Sequence, residues 1–394
     1  MKTINRMTAC ALLIAVAGCS TDEPPADFSV ALLTMPTPHP ATSPRLATGS
    51  DDQLILSWLQ TDGDSAALRY ARFVDGAWAE AATVTESSDI VINWADLPSV
   101  VPLGDGHLAA QWLVMSGTYS HAYDIAVAES RDAGATWSPA TTPHTDGTDT
   151  EHGFVSIYPA AGTAGLLWLD GRKMVNEVTD DPVASGMTLR SNEGVVDELV
   201  CDCCQTDVAV AASGPIAVYR DRSVDEIRDI YVTRQIDGHW QAGVPVAIDN
   251  WQIDGCPVNG PSITANGERV AVAWFTAAAE PLVQVAVSTD SGASFATPIE
   301  VVRGATLGRV AVAMLDDGDV VISWLASADP GFSEVRARRI SHDGSLGPIR
   351  LIGQASGLSV PQMRRIGAQL VFAWTESQQD GAHVATATVA ISAL

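Results

Sequence analysis

The stretch Val270-Ala271-Val272-Ala273-Trp274 is a short apolar run that ends in an aromatic side chain. Runs of this kind recur roughly every 50 to 56 residues, and a turn such as Asp317-Gly318 precedes them, as expected for a strand that begins after a hairpin turn. The aromatic residues at the ends of these runs are Trp58, Trp112, Trp168, Tyr219, Trp274, Trp324 and Trp374. The spacing predicts a chain built from repeats of one supersecondary unit.

Each repeat contains further strands on both sides of the aromatic run. About ten residues earlier lies a strand often opened by proline, as at Pro98 and Pro261, and about ten residues later lie a third strand, a turn and a short fourth strand. Four-stranded antiparallel blades bury their faces only against neighbouring blades, so a closed ring is the stable arrangement. The sequence therefore predicts an all-β fold, a β-propeller of seven four-stranded blades. The alternative is six blades, with one aromatic run in a loop insertion.

The two ends of the repeat region complement each other. The last repeat stops after its third strand, at Leu394, whereas residues 28–33 form a spare strand at the other end. We expect this N-terminal strand to close the ring. Composition is even and no long linker divides the chain, so residues 28–394 are predicted to be a single propeller domain.

The first residues have the pattern of an export signal. Lys2 and Arg6 precede an apolar run over residues 9–17 that is too short to span a bilayer. The run ends in Val16-Ala17-Gly18-Cys19, which resembles the bacterial lipobox. This resemblance implies a lipoprotein signal peptide over residues 1–18, a lipid on Cys19 and a tether over residues 19–27. Ordinary cleavage beside an incidental cysteine is the alternative.

These features also predict location and partners. We expect an exported lipoprotein held on the periplasmic or cell-surface side, with Ser20 compatible with the outer membrane if the host has one. The formal charge of −25 argues against a nucleic-acid partner, because phosphate backbones bind cationic surfaces. Contact with the membrane is expected through the lipid alone, and the protein is expected to be a monomer.

Two turns after predicted third strands share one pattern. Residues 130–137 and 288–295 resemble the Asp-box, or BNR, pattern S-x-D-x-G-x-x-W of sialidase-like propellers. The residues that carry the resemblance are Ser130, Asp132, Gly134, Trp137, Ser288, Asp290, Gly292 and Phe295. It implies structural turns on the face away from any chemistry. Known sialidase propellers have six blades, so seven blades depart from that pattern, and the bacterial lipoprotein branch resembled here has no established activity.

Unusual polar residues collect on the opposite face. The loop into each first strand and the loop from the second to the third strand emerge there together. The predicted ligand-binding residues are Arg172, Arg220, Arg222, Arg228, Arg309, Asn93, Trp251 and Asn259. This set favours a glycan or other anionic ligand bound over the central channel. The alternative is a salt-bridge network that braces long loops.

Four cysteines remain once Cys10 leaves with the signal peptide and Cys19 carries the lipid. Cys201, Cys203 and Cys204 precede the first strand of the fourth blade, and Cys256 precedes that of the fifth, so they are expected to converge. In an oxidising compartment they would form two disulfides, one of which ties the two loops. The alternative is a Cu or Zn site of thiolates, to which His152 would add a nitrogen ligand.

Resemblance to sialidases implies a set of catalytic residues. The family mechanism uses arginines that clamp the substrate carboxylate, a tyrosine activated by a glutamate, and an aspartate as acid and base. On the predicted face, Tyr219 with Glu226 and Asp96 are the candidates, although Tyr219 also occupies a core position. Ser43-Pro44-Arg45-Leu46 stands where the family has Arg-Ile-Pro.

Three functions remain open at this point. They are an exo-glycosidase of sialidase type, a glycan-binding or interaction scaffold without turnover, and a periplasmic metal-binding propeller. If the protein is an enzyme, a glycoside hydrolase is expected.

Overall fold

The computed structural model describes residues 27–394 except 38, 50–51, 120, 161, 176–181, 329–332 and 380. Within these residues the chain is almost entirely β and forms a seven-bladed propeller of antiparallel sheets. The predicted fold is therefore confirmed, and the six-bladed alternative is wrong. The predicted signal peptide, the lipidation site Cys19 and all of the tether except Asp27 lie outside the described residues.

The strands follow the chain blade by blade. The first strand in the chain is β1 (Ala31–Leu33). Blade 1 contains β2 (Ala41–Thr48), β3 (Leu54–Asp62), β4 (Ser65–Val74), β5 (Ala77–Trp78) and β6 (Ala82–Ser87). Blade 2 contains β7 (Ser99–Gly104), β8 (His107–Met115) and β9 (Tyr123–Ser130), with an isolated bridge between Val127 and Thr141 in the fourth position. Blade 3 contains β10 (His152–Ala160), β11 (Thr163–Asp170), β12 (Met187–Ser191) and β13 (Gly194–Val200).

The remaining blades repeat the pattern. Blade 4 contains β14 (Asp207–Ala211), β15 (Gly214–Arg220), β16 (Ile230–Ile236), β17 (His239–Trp240) and β18 (Val244–Pro245). Blade 5 contains β19 (Ser262–Asn266), β20 (Arg269–Thr276), β21 (Leu282–Ser288) and β22 (Ile299–Arg303). Blade 6 contains β23 (Thr306–Met314), β24 (Val320–Ser327), β25 (Ser333–Ile340) and β26 (Arg350–Ala355). Blade 7 contains β27 (Gln362–Ile366), β28 (Gln369–Gln378) and β29 (Gly381–Ala390), to which β1 is added.

Three short helices complete the secondary structure of the described residues. They are 3₁₀ segments at Arg172–Val175 and Ile391–Ala393 and an α-helical turn at Pro182–Ser185. None of the helices in this part of the chain has the length and apolar character needed to cross a membrane.

The recurring aromatic residues form the core between blades. Each of the seven lies in the second strand of its blade and is buried. The apolar cluster around Trp324 joins blades 5 and 6, and the cluster around Trp112 joins blades 1 and 2. The core is thus divided among the blade interfaces, as expected for sheets that can bury their faces only against each other.

The N-terminal strand closes the ring. In blade 7, β1 pairs antiparallel with β29, with Ala31 opposite Thr388 and Leu33 opposite Thr386. The last repeat supplies three strands and the chain start supplies the fourth, which confirms the predicted closure.

The two turns that resemble the Asp-box pattern have the same internal hydrogen bonds. In the first, the Ser130 hydroxyl donates to Asp132 and accepts from the backbone N–H of Gly134, both at 2.8 Å. The second turn repeats both bonds with Ser288, Asp290 and Gly292. These polar side chains thus satisfy the backbone of a tight turn.

The glycine of each turn lies against the preceding blade. Gly134 and Gly292 have φ angles of 85° and 75°. A Cβ at Gly134 would lie 2.0 Å from the Tyr70 hydroxyl, and one at Gly292 would lie 2.1 Å from a methyl carbon of Ile216. Both the backbone conformation and the close approach therefore require glycine.

The opposite face carries the predicted site. We call it the loop face; it is formed by incoming loops such as residues 88–98, 201–206 and 246–261 and by second-to-third loops such as residues 221–229. Innermost strands begin at this face and run along the central channel.

Candidate functional site

Two arginines and one aspartate close the central channel. In the strand register, Arg45 lies opposite Ser57 in blade 1, and Asp207 lies opposite Val218 in blade 4. Ser57 and Val218 each directly precede the recurring aromatic residue of the second strand. Arg45 and Asp207 therefore occupy the same level of blades 1 and 4, across the ring from each other. Their side chains meet at 3.6 Å, and the Arg364 guanidinium of blade 7 lies 3.9 Å from the same carboxylate oxygen. One carboxylate thus serves two guanidinium groups.

Arg309 adds a third guanidinium from blade 6. It lies at a bulge in β23 with a φ of 53°, and its N–H donates to the Asn259 side chain at 2.7 Å. Its guanidinium stacks over the Trp94 ring at 4.6 Å and donates to the carbonyl of Ser359 at 3.2 Å. Burial alone lowers the pKa of Arg309 to about 10, with no carboxylate offsetting it, so the side chain stays cationic at neutral pH.

We call the space among these side chains the arginine pocket. It opens toward the loop face, has a volume of about 30 Å³, and is lined by Arg45, Arg309, Arg364, Gln205, Asp207 and Gln362. This volume holds about two water molecules or one carboxylate group. The pocket is positively charged although the whole chain carries −25.

Asp96 lies beside the arginine pocket. A smaller cavity of about 10 Å³, lined by Asp96, Arg45 and Gln205, adjoins it. The backbone N–H of Phe154 donates to one Asp96 oxygen at 2.8 Å, and the other oxygen has no partner among the described residues. Burial raises the pKa of Asp96 to about 8, against the hydrogen bond from Phe154 and the charge of Arg45. The carboxyl is therefore protonated at neutral pH and has the state that a general acid needs.

A tyrosine and a glutamate that we did not select from the sequence form a short hydrogen bond nearby. The Tyr123 hydroxyl donates to Glu151 at 2.5 Å. Burial, together with the charges of Asp96 and Glu151, raises the pKa of Tyr123. The two residues come from blade 2 and the loop into blade 3, so only the adjacency of blades would have revealed the pair. Glu151 was visible in the sequence only as a carboxylate in an incoming loop.

The tyrosine and glutamate that we did select have other partners. Tyr219 is buried in blade 4 and donates to Asp197 at 2.6 Å. Glu226 accepts from Arg222 and Arg228. The structure therefore does not bring Tyr219 and Glu226 together as a hydrogen-bonded pair.

Three of the arginines predicted to bind a ligand instead form ion pairs with nearby carboxylates. Arg172 forms paired hydrogen bonds with Asp170 at 2.6 and 2.7 Å. Arg222 binds Asp202 and Glu226, and Arg228 binds Glu226. These contacts match the bracing alternative.

Arg220 is a buried internal support. Its guanidinium donates to the backbone carbonyls of Asn259, Arg228 and Phe275. It also lies 4.7 Å from the centre of the buried Trp251 ring. Arg220 and Trp251 are therefore inside the loop structure, beneath the face on which a ligand would bind.

Asn93 and Asn259 position groups of the pocket. The Asn93 side chain accepts from the backbone N–H groups of Ala95 and Asp96 and so holds the turn that carries Asp96. Asn259 holds the backbone of Arg309. Of the eight predicted ligand-binding residues, Arg309 lines the pocket itself, and these two asparagines support it.

The cysteines converge as predicted. Cys203 and Cys256 form a disulfide that ties the incoming loops of blades 4 and 5. Cys201 and Cys204 are buried free cysteines with sulfurs 2.6 Å apart, so the prediction of a second disulfide is wrong for the described residues. Two thiolates on one tetrahedral zinc ion would lie about 3.8 Å apart, given Zn–S bonds of about 2.3 Å. With Cys203 in the disulfide, two thiols remain for the predicted Cu or Zn site, and their separation is shorter than two ligands of one zinc ion require.

His152 lies apart from the cysteines, in a stack with His144. The two rings are 3.8 Å apart and 6° from parallel. Asp146 lies 3.3 and 3.4 Å from a nitrogen of each ring, while Asp124 lies 3.8 Å from the other nitrogens. Burial, then the adjacent ring, lowers the pKa of His144. The Nε2 atoms of both rings and one Asp146 oxygen are buried without a hydrogen-bond partner among the described residues, so the stack is a cluster of unsatisfied polar groups.

Solved structures of other proteins are similar to this chain in fold. No protein-family model and no curated protein matches the sequence. A protein of unknown function from Dyadobacter fermentans has a TM-score of 0.54 at 13% identity, covering 94% of this chain and 100% of that one. An α-L-arabinofuranosidase from Fusarium graminearum has a TM-score of 0.50 at 12% identity, covering 93% and 98%. The NanB sialidase from Streptococcus pneumoniae has a TM-score of 0.45 at 8% identity, covering 92% and 94%. At these identities the first two similarities show a shared fold and nothing further.

Proposed function

We propose that this protein is an exported lipoprotein of the sialidase-like Asp-box kind that binds an acidic carbohydrate at the arginine pocket. The observation that carries the proposal is that Arg45, Arg309 and Arg364, from the innermost strands of three consecutive blades, line one pocket that contains a single carboxylate, Asp207. Guanidinium groups bind carboxylates through charge-assisted hydrogen bonds.

The size and surroundings of the pocket support a ligand with a small acidic group. The pocket accepts one carboxylate group, so the rest of the ligand would lie over the loop face. Trp94, on which Arg309 stacks, borders this position. Aromatic rings and amide side chains such as Gln205 are typical of sugar-binding surfaces, since a sugar presents both apolar C–H faces and hydroxyl groups.

Two further features support the exported Asp-box part of the proposal. The turns at Ser130 and Ser288 share their internal hydrogen bonds, which fits a repeated turn motif. The Cys203–Cys256 disulfide is typical of proteins in oxidising compartments.

Calorimetric titration tests the binding proposal. N-acetylneuraminic acid and glucuronic acid are compared with neutral galactose, using the wild type and Arg364→Gln. We expect the acidic sugars to bind and Arg364→Gln to weaken them by 10-fold or more, since a hydrogen bond to a charged group contributes roughly 1.5–3 kcal/mol.

The matched control is Arg303→Gln, which removes an exposed arginine that pairs with Glu280 and Glu300 on the outer strand of blade 5. It makes the same change in net charge and should leave affinity unchanged. Equal binding of acidic and neutral sugars, or equal effects of the two substitutions, would contradict the proposal.

Hydrolysis of a glycoside is a second candidate, favoured by the protonated Asp96 and by the Tyr123–Glu151 hydrogen bond. A general acid, and a tyrosine hydrogen-bonded to a carboxylate that can accept its proton, are the groups that such a reaction needs. Turnover of fluorogenic sialosides and arabinofuranosides by the wild type, with Asp96→Asn and Tyr123→Phe at least 100-fold slower, is the expected result. Absence of turnover by the wild type would leave binding as the function.

A further inference from the structure

Four sulfur atoms lie together where the incoming loops of blades 4 and 5 meet. The disulfide between Cys203 and Cys256 reaches the surface, because Cys203 is partly exposed and Cys256 is exposed. Cys201 and Cys204 are free thiols with side chains buried just beneath. The sulfurs of Cys201, Cys203 and Cys204 all lie within 4.8 Å of one another. A buried dithiol is thus adjacent to an accessible disulfide.

Two buried arginines favour a negative charge on one of these thiols. The Arg228 guanidinium lies 3.5 Å from the Cys201 sulfur, and the Arg220 guanidinium is close enough to act on both thiols. Burial acts to raise the pKa of Cys201, but the hydrogen bond with Cys204 and the arginine charges together outweigh it and lower the pKa to about 6. Burial, followed by the contact with Cys201, raises the pKa of Cys204.

The two thiols are therefore different at neutral pH. Cys201 is the thiol that ionises more readily, the thiolate is the form that attacks disulfides, and a thiol with a pKa near the ambient pH is the most effective attacking group. Cys204 keeps its proton and is the resolving thiol. The spacing of two residues between Cys201 and Cys204 is the spacing of dithiols that close into a disulfide within one loop.

We propose that these four cysteines form an internal thiol–disulfide relay, in which the disulfide moves between the exposed pair Cys203–Cys256 and the buried pair Cys201–Cys204. The proposal goes beyond carbohydrate binding and does not depend on it.

The exchange balances without an outside oxidant. The Cys201 thiolate attacks the Cys203 sulfur, the bond to Cys256 breaks, and Cys256 leaves as a thiolate that takes a proton from water. Cys204 then loses its proton and attacks Cys201, and Cys203 leaves and is protonated. One disulfide and two reduced cysteines are present before and after, so no net electrons are transferred.

The relay alters the connection between two loops. With the disulfide in the buried pair, the loops of blades 4 and 5 are no longer tied, and Cys256 presents a free thiol at the surface. Asn259, which holds Arg309, follows three residues later in the same loop. Oxidation of the buried pair would therefore loosen one support of the arginine pocket.

Disulfide mapping of the full chain with one disulfide tests the relay. The fully reduced protein and the fully oxidised protein are each brought to two free thiols among Cys201, Cys203, Cys204 and Cys256 with a limited amount of oxidant or reductant. They are then incubated at pH 7, quenched with N-ethylmaleimide and mapped by mass spectrometry. We expect both Cys203–Cys256 and Cys201–Cys204 species, in the same ratio from either starting point.

Two serine variants separate the steps. In Cys204→Ser the second step is blocked, so a mixed Cys201–Cys203 disulfide should accumulate beside Cys203–Cys256. In Cys201→Ser the first step is blocked, and Cys203–Cys256 alone should form. Near-ultraviolet circular dichroism confirms that each variant is folded.

The relay is wrong if wild-type protein with one disulfide has that disulfide in the same single pair of cysteines, whether it was prepared from the reduced or from the oxidised protein. It is also wrong if the two preparations keep different ratios indefinitely, because each pair would then be a fixed structural element. An exchange rate that does not rise as pH increases through about 6 would remove the assigned role of the Cys201 thiolate.

Discussion

Asp96 is held by one hydrogen bond from the backbone of Phe154, and its other oxygen is buried without a partner in the described part of the chain. Burial raises the pKa of this carboxyl to about 8, well above the value near 3.9 expected in the unfolded chain. The folded state therefore binds more protons than the unfolded state between these pH values. Stability that this group contributes at low pH is lost as the pH rises through about 8.

Asp96→Asn isolates this effect, because asparagine keeps the accepting oxygen but cannot ionise. We expect the free energy of unfolding of the variant to increase relative to wild type between pH 5 and pH 8, by more than about 1 kcal/mol. Urea denaturation of both proteins at the two pH values measures the difference. A difference that is the same at both pH values would show that Asp96 ionises normally.

The chemistry of single residues was only partly predictable from the sequence. Arg309 was among the predicted ligand-binding residues, and it lines the pocket. Arg45 was noted only as part of a blurred motif, and Arg364 was not selected, because the approach of both to Asp207 depends on ring closure and strand register. Contacts across the channel join residues that are distant in the chain, and local patterns do not reveal them.

Among the elements, the turn between the third and fourth strands of blade 5 shows why a repeat needs glycine. Gly292 has a positive φ, and its backbone lies against Ile216 of blade 4. The hydrogen bonds from Ser288 set the geometry of the turn. Because Gly292 has no side chain, Ile216 of blade 4 can pack directly against its backbone. The sequence predicted the turn itself, but only the packed blades show the second requirement.

Gly292→Ala and Gly267→Ala separate the two requirements. Both glycines have positive φ, but a Cβ at Gly267 meets nothing within 4 Å. We expect Gly267→Ala to lower the free energy of unfolding by about 1 kcal/mol through backbone strain, and Gly292→Ala to lower it by a further 1–3 kcal/mol through overpacking against Ile216. Thermal and urea unfolding of the two variants gives the comparison. Equal losses would mean that the interface between blades 4 and 5 adjusts freely.

The whole molecule depends on the pairing of β1 with β29. Seven blades bury one another's faces only when the ring is complete, and the last contribution comes from Ala31–Leu33. The aromatic period predicted the number of blades, and the mismatch between the chain ends predicted the closure. The contact between Arg45 and Asp207 across the channel was not predictable, because the sequence does not show which blades lie opposite each other.

Leu32→Pro tests the closure, with Leu32→Ser as its control. The Leu32 side chain is 73% exposed, so losing it costs little, whereas proline fixes φ and removes the backbone donor. We expect the proline variant to have a melting temperature several degrees lower and faster hydrogen exchange over residues 384–389, while the serine variant behaves like wild type. Slow exchange in both variants would show that blade 7 is stable with three strands.

The same pairing has a mechanical consequence. Tension on the chain ahead of Phe28 is carried first by Phe28, which packs against Arg350, and then by β1, where three residue pairs join it to β29. A load directed along these antiparallel strands would shear their hydrogen bonds together rather than peel them one at a time. A force large enough to detach β1 would therefore open the ring by exposing the edge of blade 7.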